Sequence, residues 1–256
     1  MGKVRIAFMA SGRGSNFEAV LDHVELDVLR NCEVVLLVAN RAGCRAIRIA
    51  EERGIEYIHM DHRGKSLHEY EGELVHVLKE KRIDLIVLAG WDWMVGRTLR
   101  TAYEWRLMAI HPSLHPSFTG DLLSAEEVHR AVLESGVKVT GCTVYYVGVN
   151  VDMGPIILQK TVEITNEVLE LYIRAPVEAV KRLEQKVLYQ EHLMLPKAIQ
   201  LHVDGRLEPV LIRSEDMDRW IVLVREDPDW KKCWEARQLR YIEFKLRRAE
   251  ASQGVE

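Results

Sequence analysis

The sequence predicts an α/β fold, a doubly wound and mostly parallel sheet with helices on both faces. Two observations lead there. Short, continuously apolar runs such as CEVVLLVAN (32–40) and IDLIVLAG (83–90) alternate with amphipathic segments through the first half of the chain. Strands covered on both faces lose the in–out alternation of a half-buried strand, so unbroken apolar runs separated by helices read as a parallel sheet. The second observation is that these runs end at Gly12, Asn40 and Gly90, residues suited to the turn out of a strand. Ligands in such sheets bind beyond the carboxyl ends of the strands, near a reversal of strand order. The segments after Ala10, Asn40, Gly90 and Ile110 are therefore the places to look for chemistry.

The elements follow in order. KVRIAFMA is a short strand leading to Gly12 and Gly14, and NFEAVLDHVE is a helix with Phe17, Val20, Leu21 and Val24 on one face. The β-branched run ending at Asn40 is the second strand. CRAIRIAEERG is an amphipathic helix closed by Gly54, a residue tolerant of the left-handed conformation found after helix ends. IEYIHM is a strand, LHEYEGELVHVLKEKR a helix, IDLIVLAG a strand, and LMAI the end of another. SAEEVHRAVLESG is a helix in which Ser124 and Glu127 form a capping-box pattern. KVTGCTVYYVGVNVDMGPIILQKTVEI reads as two β runs joined around Asn150–Pro155. The long helix APVEAVKRLEQKVLYQEHLMLPKAIQLHVDG should be kinked or interrupted at Pro196, which lacks the N–H the helix needs. RWIVLVRE reads as an added strand. DWKKCWEARQLRYIEFKLRRAEA reads as a basic amphipathic helix carrying Trp230, Trp234 and Tyr241. The chain thus divides into a main unit over 1–210 and a C-terminal extension over 211–256.

Composition narrows the function classes. The 256 residues are 48% hydrophobic and 29% charged, the balance of a globular protein with a substantial core. A net charge of −4 gives no global attraction for nucleic acid. Cys32, Cys44, Cys142 and Cys233 show no CxxC spacing and read as idle thiols of a reducing compartment. No apolar run approaches the ~18 residues of a membrane span. The opening MGKVRIAFMASG is too briefly apolar for a signal peptide. A cytoplasmic protein is expected.

Two stretches carry chemistry. In ASGRGSN (10–16) the amides of Gly14, Ser15 and Asn16 stand at a helix N-terminus, which suits a phosphate or another anion. The same residues also suit a plain tight turn capped by Ser15 or Asn16. The full GxGxxG is absent, and so is the lysine of a triphosphate-binding loop. In LMAIHPSLHP (107–116) His111 stands at a strand's carboxyl edge, before a loop fixed by Pro112 and Pro116. Asp152, in GVNVDMGPII, is either a turn former or a carboxylate aimed into the same cleft, where it would stabilise the His111 imidazolium.

Taken together, SGRGSN, IDLIVLAGW, IHPSLHP, GCTVYYVGVNVDMGPIILQ and YQEHLMLPKAIQ resemble, in order and spacing, segments of the glycinamide ribonucleotide formyltransferase family, over about residues 3–210. The resemblance implies transfer of a formyl group from 10-formyltetrahydrofolate, a co-substrate, to the primary amine of the ribonucleotide, without a metal. It implies that Gly14, Ser15 and Asn16 hold the substrate phosphate and Glu191 its ribose. His111 and Asp152 are then catalytic. Trp93, Met94, Val95, Gly148 and Val149 line the pterin pocket. The partners are small molecules, with a homodimer as a further expectation.

The chain also departs from the pattern. The family's Asn, a donor to the formyl oxygen, is Ala109 here, and losing one such donor typically lowers rate by roughly 10²–10³-fold. His115 stands in place of a Leu, Tyr145 in place of a His, and WDWM (91–94) and TGDLLSAEEVH (119–129) are altered. His115 or a backbone amide is the expected replacement donor. A silent or repurposed folate- or phosphate-binding homologue, or transfer to a different phosphorylated amine, is the alternative.

Overall fold

A computed structural model describes residues 2–120, 124–148, 154–213 and 218–253. Seven strands form one sheet in the order β3-β2-β1-β4-β5-β6-β7. Five of them, β1 (Val4–Met9), β2 (Cys32–Ala39), β3 (Glu56–His59), β4 (Leu85–Leu88) and β5 (Leu107–His111), pair in parallel. β6 (Val139–Tyr146) and β7 (Ile156–Glu163) complete one side as antiparallel strands. Strand order reverses at β1, with β2 on one side and β4 on the other, so the crevice lies where the first loop leaves the sheet.

The apolar runs are unbroken because both faces are covered. On one face Ile6, Phe8, Leu37 and Val87 pack against α1 (Ser15–Glu25), α2 (Arg45–Glu52) and α7 (Pro176–Val203). On the other, Ala7, Met9, Leu36 and Ile86 pack against α3 (Leu67–Glu80) and α4 (Arg97–Ala102). A third cluster joins α5 (Ala125–Glu134), α6 (Asn166–Arg174) and α7 around Val132, Ile164 and Leu183. Helices α3 and α5 both open on capping boxes, at Ser66/Glu69 and Ser124/Glu127.

Two sequence expectations need correction. The long helix is not interrupted: α7 runs through Pro196, whose ring is buried, and packing on α1, α5, β6 and β7 holds it continuous. Segment 219–226 does not add to the main sheet. Its β9 (Arg219–Val224) pairs with the immediately preceding β8 (Leu207–Ile212) as a separate antiparallel hairpin, the nearest partner in sequence. The cysteines are free, as expected, with Cys32 and Cys142 buried and Cys233 exposed. Helices α4 and α6 were not anticipated. The former is too short, at 6 residues, to show a periodic face.

The last helix, α8 (Pro228–Gln253), is part of the body. Trp230, Trp234 and Tyr241 pack with Ala19 and Val28 near α1 and with Leu201 of α7. The Trp230 indole donates to Asp204 Oδ2 at 2.7 Å, and Arg237 donates to the Val28 carbonyl at 2.9 Å. Trp234 is 1% exposed, so Trp234→Ala should cost about 3–5 kcal/mol, read as a lower urea midpoint.

The same junction buries His23 and half-buries His192. Burial lowers both from 6.5 to about 4, aided for His192 by the positive charges of Lys245 and His23. Such a group takes up its proton in the unfolded chain before it does so in the folded one. Stability is therefore full above about 6.5, falls from there to about 4, and levels below. His23→Phe keeps the ring against Tyr241, 3.9 Å between centroids, and removes the proton. Denaturation midpoints measured at neutral and mildly acid pH should lie closer together in His23→Phe than in the parent.

Candidate functional site

The first loop is shaped by a glycine. Gly14 occupies the N-cap of α1 at φ 67°, and a Cβ there would stand 2.8 Å from Ala46 Cβ, so conformation and close packing both require glycine. Gly14 takes the cap position instead of Ser15 or Asn16, and no side chain caps the helix. The first-turn amides of α1 therefore have no capping side chain of their own. Asn16 instead turns inward, where its Nδ2 donates to Glu191 Oε2 at 2.8 Å. Burial raises the Glu191 pKa, opposed by the Asn16 bond and the charge of Arg13. Arg13 itself pairs with Glu184, one helical stretch before Glu191 on α7. The structure thus brings together Gly14, Ser15, Asn16 and Glu191, residues from opposite ends of the sequence.

The loops after β1, β2 and β4 are knitted to one another. Ser11 N–H donates to the Gly90 carbonyl at 2.9 Å, and Asp92 N–H donates to the Ser11 hydroxyl at 2.9 Å. Asn40 donates to Asp92 Oδ1 at 2.8 Å, and Arg41 pairs with the same carboxylate. Burial pushes the Asp92 pKa up, but the bonds from Ser11 and Asn40 and the Arg41 charge outweigh it, so the net shift is downward. This network fixes the start of segment 91–95. Trp93 stacks on His62 with centroids 4.4 Å apart and meets Tyr70 edge-on at 4.6 Å. Met94 is 51% exposed, and Val95 is half-buried.

The other end of that segment is held by a residue that sequence reading passed over. Glu71, buried within α3, accepts from the backbone N–H groups of Gly96 and of Leu99, the latter at 3.2 Å. It supplies the N-terminal acceptor that α4 lacks in its own side chains. A Cβ at Gly96 would meet Glu71 Oε2 at 2.7 Å. A polar residue inside an amphipathic helical pattern was the available signal. Arg100 of α4 then donates to the Gly148 carbonyl at 2.9 Å, tying the segment after β4 to the end of β6. Val149 and Asp152 lie outside the described residues.

His111 closes β5 and is buried. Its Nε2 faces the Phe118 carbonyl at 3.1 Å, and since a carbonyl only accepts, Nε2 carries the proton. The ring of His115 lies 5.1 Å from that of His111 and 4.7 Å from that of Tyr145, centroid to centroid. His129 of α5 is buried as well. Burial first, then the charges of His111 and Arg13, lower its pKa to about 4.

The chain as a whole has known relatives. A family model described as formyl transferase matches residues 4–199. The trifunctional purine biosynthetic protein adenosine-3 of Gallus gallus is 35% identical over 207 residues, 80% of this chain and 19% of that protein. Its Homo sapiens counterpart is 32% identical over the same length. The chain therefore spans about a fifth of the length of these relatives. Among solved structures, glycinamide ribonucleotide transformylase 1 from Symbiobacterium toebii is 33% identical with a TM-score of 0.74, the match covering 88% of this chain and 95% of that one. Phosphoribosylglycinamide formyltransferase from Bacillus halodurans is 38% identical with a TM-score of 0.61, covering 76% and 96%. With three quarters of its length accounted for in this way, the chain belongs to the formyl transferase family.

Proposed function

We propose that the protein transfers a formyl group from 10-formyltetrahydrofolate to the primary amine of glycinamide ribonucleotide, a step of purine synthesis carried out in the cytoplasm. The observation that carries this reading is the joining of the Gly14–Asn16 turn to Glu191 at the same sheet edge that presents His111. An anionic phosphate on the α1 amides leaves the sugar hydroxyls toward the Glu191 carboxylate. The amine then points along the sheet edge toward β5. Trp93, Met94, Val95, Gly148 and Val149 form the pterin side. Among the described residues, no helix is long and apolar enough to cross a membrane.

The chemistry asks for proton management and charge stabilisation. The amine nitrogen attacks the formyl carbon, a C–N bond forms, and the formyl oxygen becomes negative. The nitrogen sheds a proton, the oxygen's lone pair re-forms the carbonyl, and the bond to N10 breaks as N10 takes up a proton. His111 serves as the acid/base group at this centre, and Asp152 stabilises its imidazolium form. A homodimer is part of this reading, to be checked by the mass of the protein in solution.

Two outcomes test the assignment. The purified chain should transfer formyl between these two substrates well above the uncatalysed rate, followed by the absorbance change of the folate. Activity confined to an Ala109→Asn variant would instead mark the parent as a silent scaffold. Glu191→Ala removes the carboxylate partner of Asn16 and should raise KM for the ribonucleotide about tenfold or more, with a smaller effect on KM for the folate.

A further inference from the structure

We infer that Arg100 is a positioning residue for the folate, a single guanidinium that ties together the two walls of the pterin side, an inference that rests on the formyl-transfer reading above. The two walls come from distant parts of the chain. One is segment 93–95, after β4, and the other begins at Gly148, after β6. They share no strand pairing, since β5 lies between β4 and β6 in the sheet. Strand pairing alone therefore does not set their separation.

Arg100 supplies a direct link. Its Nε donates to the Gly96 carbonyl at 3.0 Å, and its Nη1 donates to the Gly148 carbonyl at 2.9 Å. A guanidinium is planar and presents its N–H groups in fixed directions, so one half-buried side chain holds both carbonyls in a set relation. The bridge also closes a ring. Helix α4 leads into β5, where the Leu107 carbonyl accepts from Val147 N–H at 2.9 Å. Gly148 follows, and Arg100 returns from it to Gly96.

Both ends of the bridge are braced. Gly96 is buried, with its N–H on Glu71 of α3 and its carbonyl on Arg100. A Cβ there would stand 2.7 Å from Glu71 Oε2 and 2.8 Å from Leu67 Cδ2, so the packing requires glycine. Helix α3 supports the same stretch at two further points, where Tyr70 meets Trp93 edge-on and His68 Nδ1 lies 3.1 Å from the Thr98 hydroxyl. At the other end, a Cβ on Gly154 would clash with the Tyr146 carbonyl oxygen and stand 2.8 Å from the Gly148 nitrogen, so the returning chain packs directly on the residues that lead to Gly148. Arg100 thus rides on a braced helix and reaches the residue just past Val147. Without it the walls could part while the sheet stayed unchanged, and binding would have to gather them. That cost falls on folate affinity. It spares the ribonucleotide, whose proposed partners, Gly14–Asn16 and Glu191, lie outside this ring.

The test titrates tetrahydrofolate into the parent, Arg100→Ala and Arg100→Lys by quenching of tryptophan fluorescence, with thermal midpoints, kcat and both KM values for each. Arg100→Ala should weaken tetrahydrofolate binding about tenfold or more and leave KM for the ribonucleotide within about threefold. Arg100→Lys keeps the charge without the planar fork and should recover little of the loss, and it serves if the alanine variant does not fold. Guanidinium ion added well below denaturing concentrations should restore part of the affinity to Arg100→Ala, and ammonium at the same concentration should not. Tetrahydrofolate affinity within about twofold of the parent in Arg100→Ala overturns the bridge and leaves the formyl-transfer reading standing. A loss shared equally by both substrates, or one that follows the thermal midpoint without a response to guanidinium, assigns Arg100 to general packing and also overturns it. A parent that binds tetrahydrofolate without turnover overturns the transfer reading alone, and the tetrahydrofolate titrations still decide the bridge. A folded parent that neither binds nor turns over overturns both.

Discussion

The bond from Asn16 to Glu191 is the constraint on which the site depends. It links the first turn of α1 to the middle of α7 across 175 residues of sequence. A buried carboxylate without such a partner would be costly, so once α7 packs on the sheet, α1 must present Asn16 inward. That orientation in turn demands the left-handed Gly14 against Ala46. One hydrogen bond therefore fixes the direction of a helix, the shape of a loop and the placement of an acid beside the first turn of α1.

Sheet order then sets the scale. β4 lies between β1 and β5, so the loop after β1 and His111 are two strand spacings apart, about 10 Å at ~4.8 Å per strand. That is the reach of a small phosphorylated ligand bound at one end and reacting at the other. The strand between them contributes the Trp93 segment, fixed by Asp92 at its start and by Glu71 at its close. Neither carboxylate performs chemistry in this reading. Both convert a loop into a rigid wall by satisfying backbone and side-chain donors.

Much of this was legible in the sequence, and the reasons for the gaps are physical. The parallel strands were readable because burial on both faces writes itself as uninterrupted Val, Ile and Leu. The glycine turn and His111 were readable from position, at strand ends. Glu191 entered only through resemblance, because nothing in YQEHLMLPKAIQ says that its acid meets Asn16. Glu71 was hidden by its setting, a polar residue in a helix otherwise read for its apolar face. The continuity of α7 through Pro196 was misjudged because a local breaker was weighed without the elements packed on that helix. The separate β8–β9 hairpin was half-read: RWIVLVRE was expected as an added strand, while its partner over 207–212 was not read as a strand.

The docking of α8 has a consequence for how the chain acquires its structure. Trp230, Trp234 and Tyr241 cover Ala19 and Val28, so surface created near the N-terminal end is finished by residues more than 200 positions later. During synthesis the α1 region leaves the ribosome first and waits, apolar side uncovered, while the sheet assembles. At ~5–20 residues per second that wait is on the order of ten seconds or more. Contacts of such long sequence separation form late and slowly. The partly built protein therefore carries a transient sticky face until the tryptophans arrive, and a ligand resting on the α1 amides would find its helix fully braced only after that closing step.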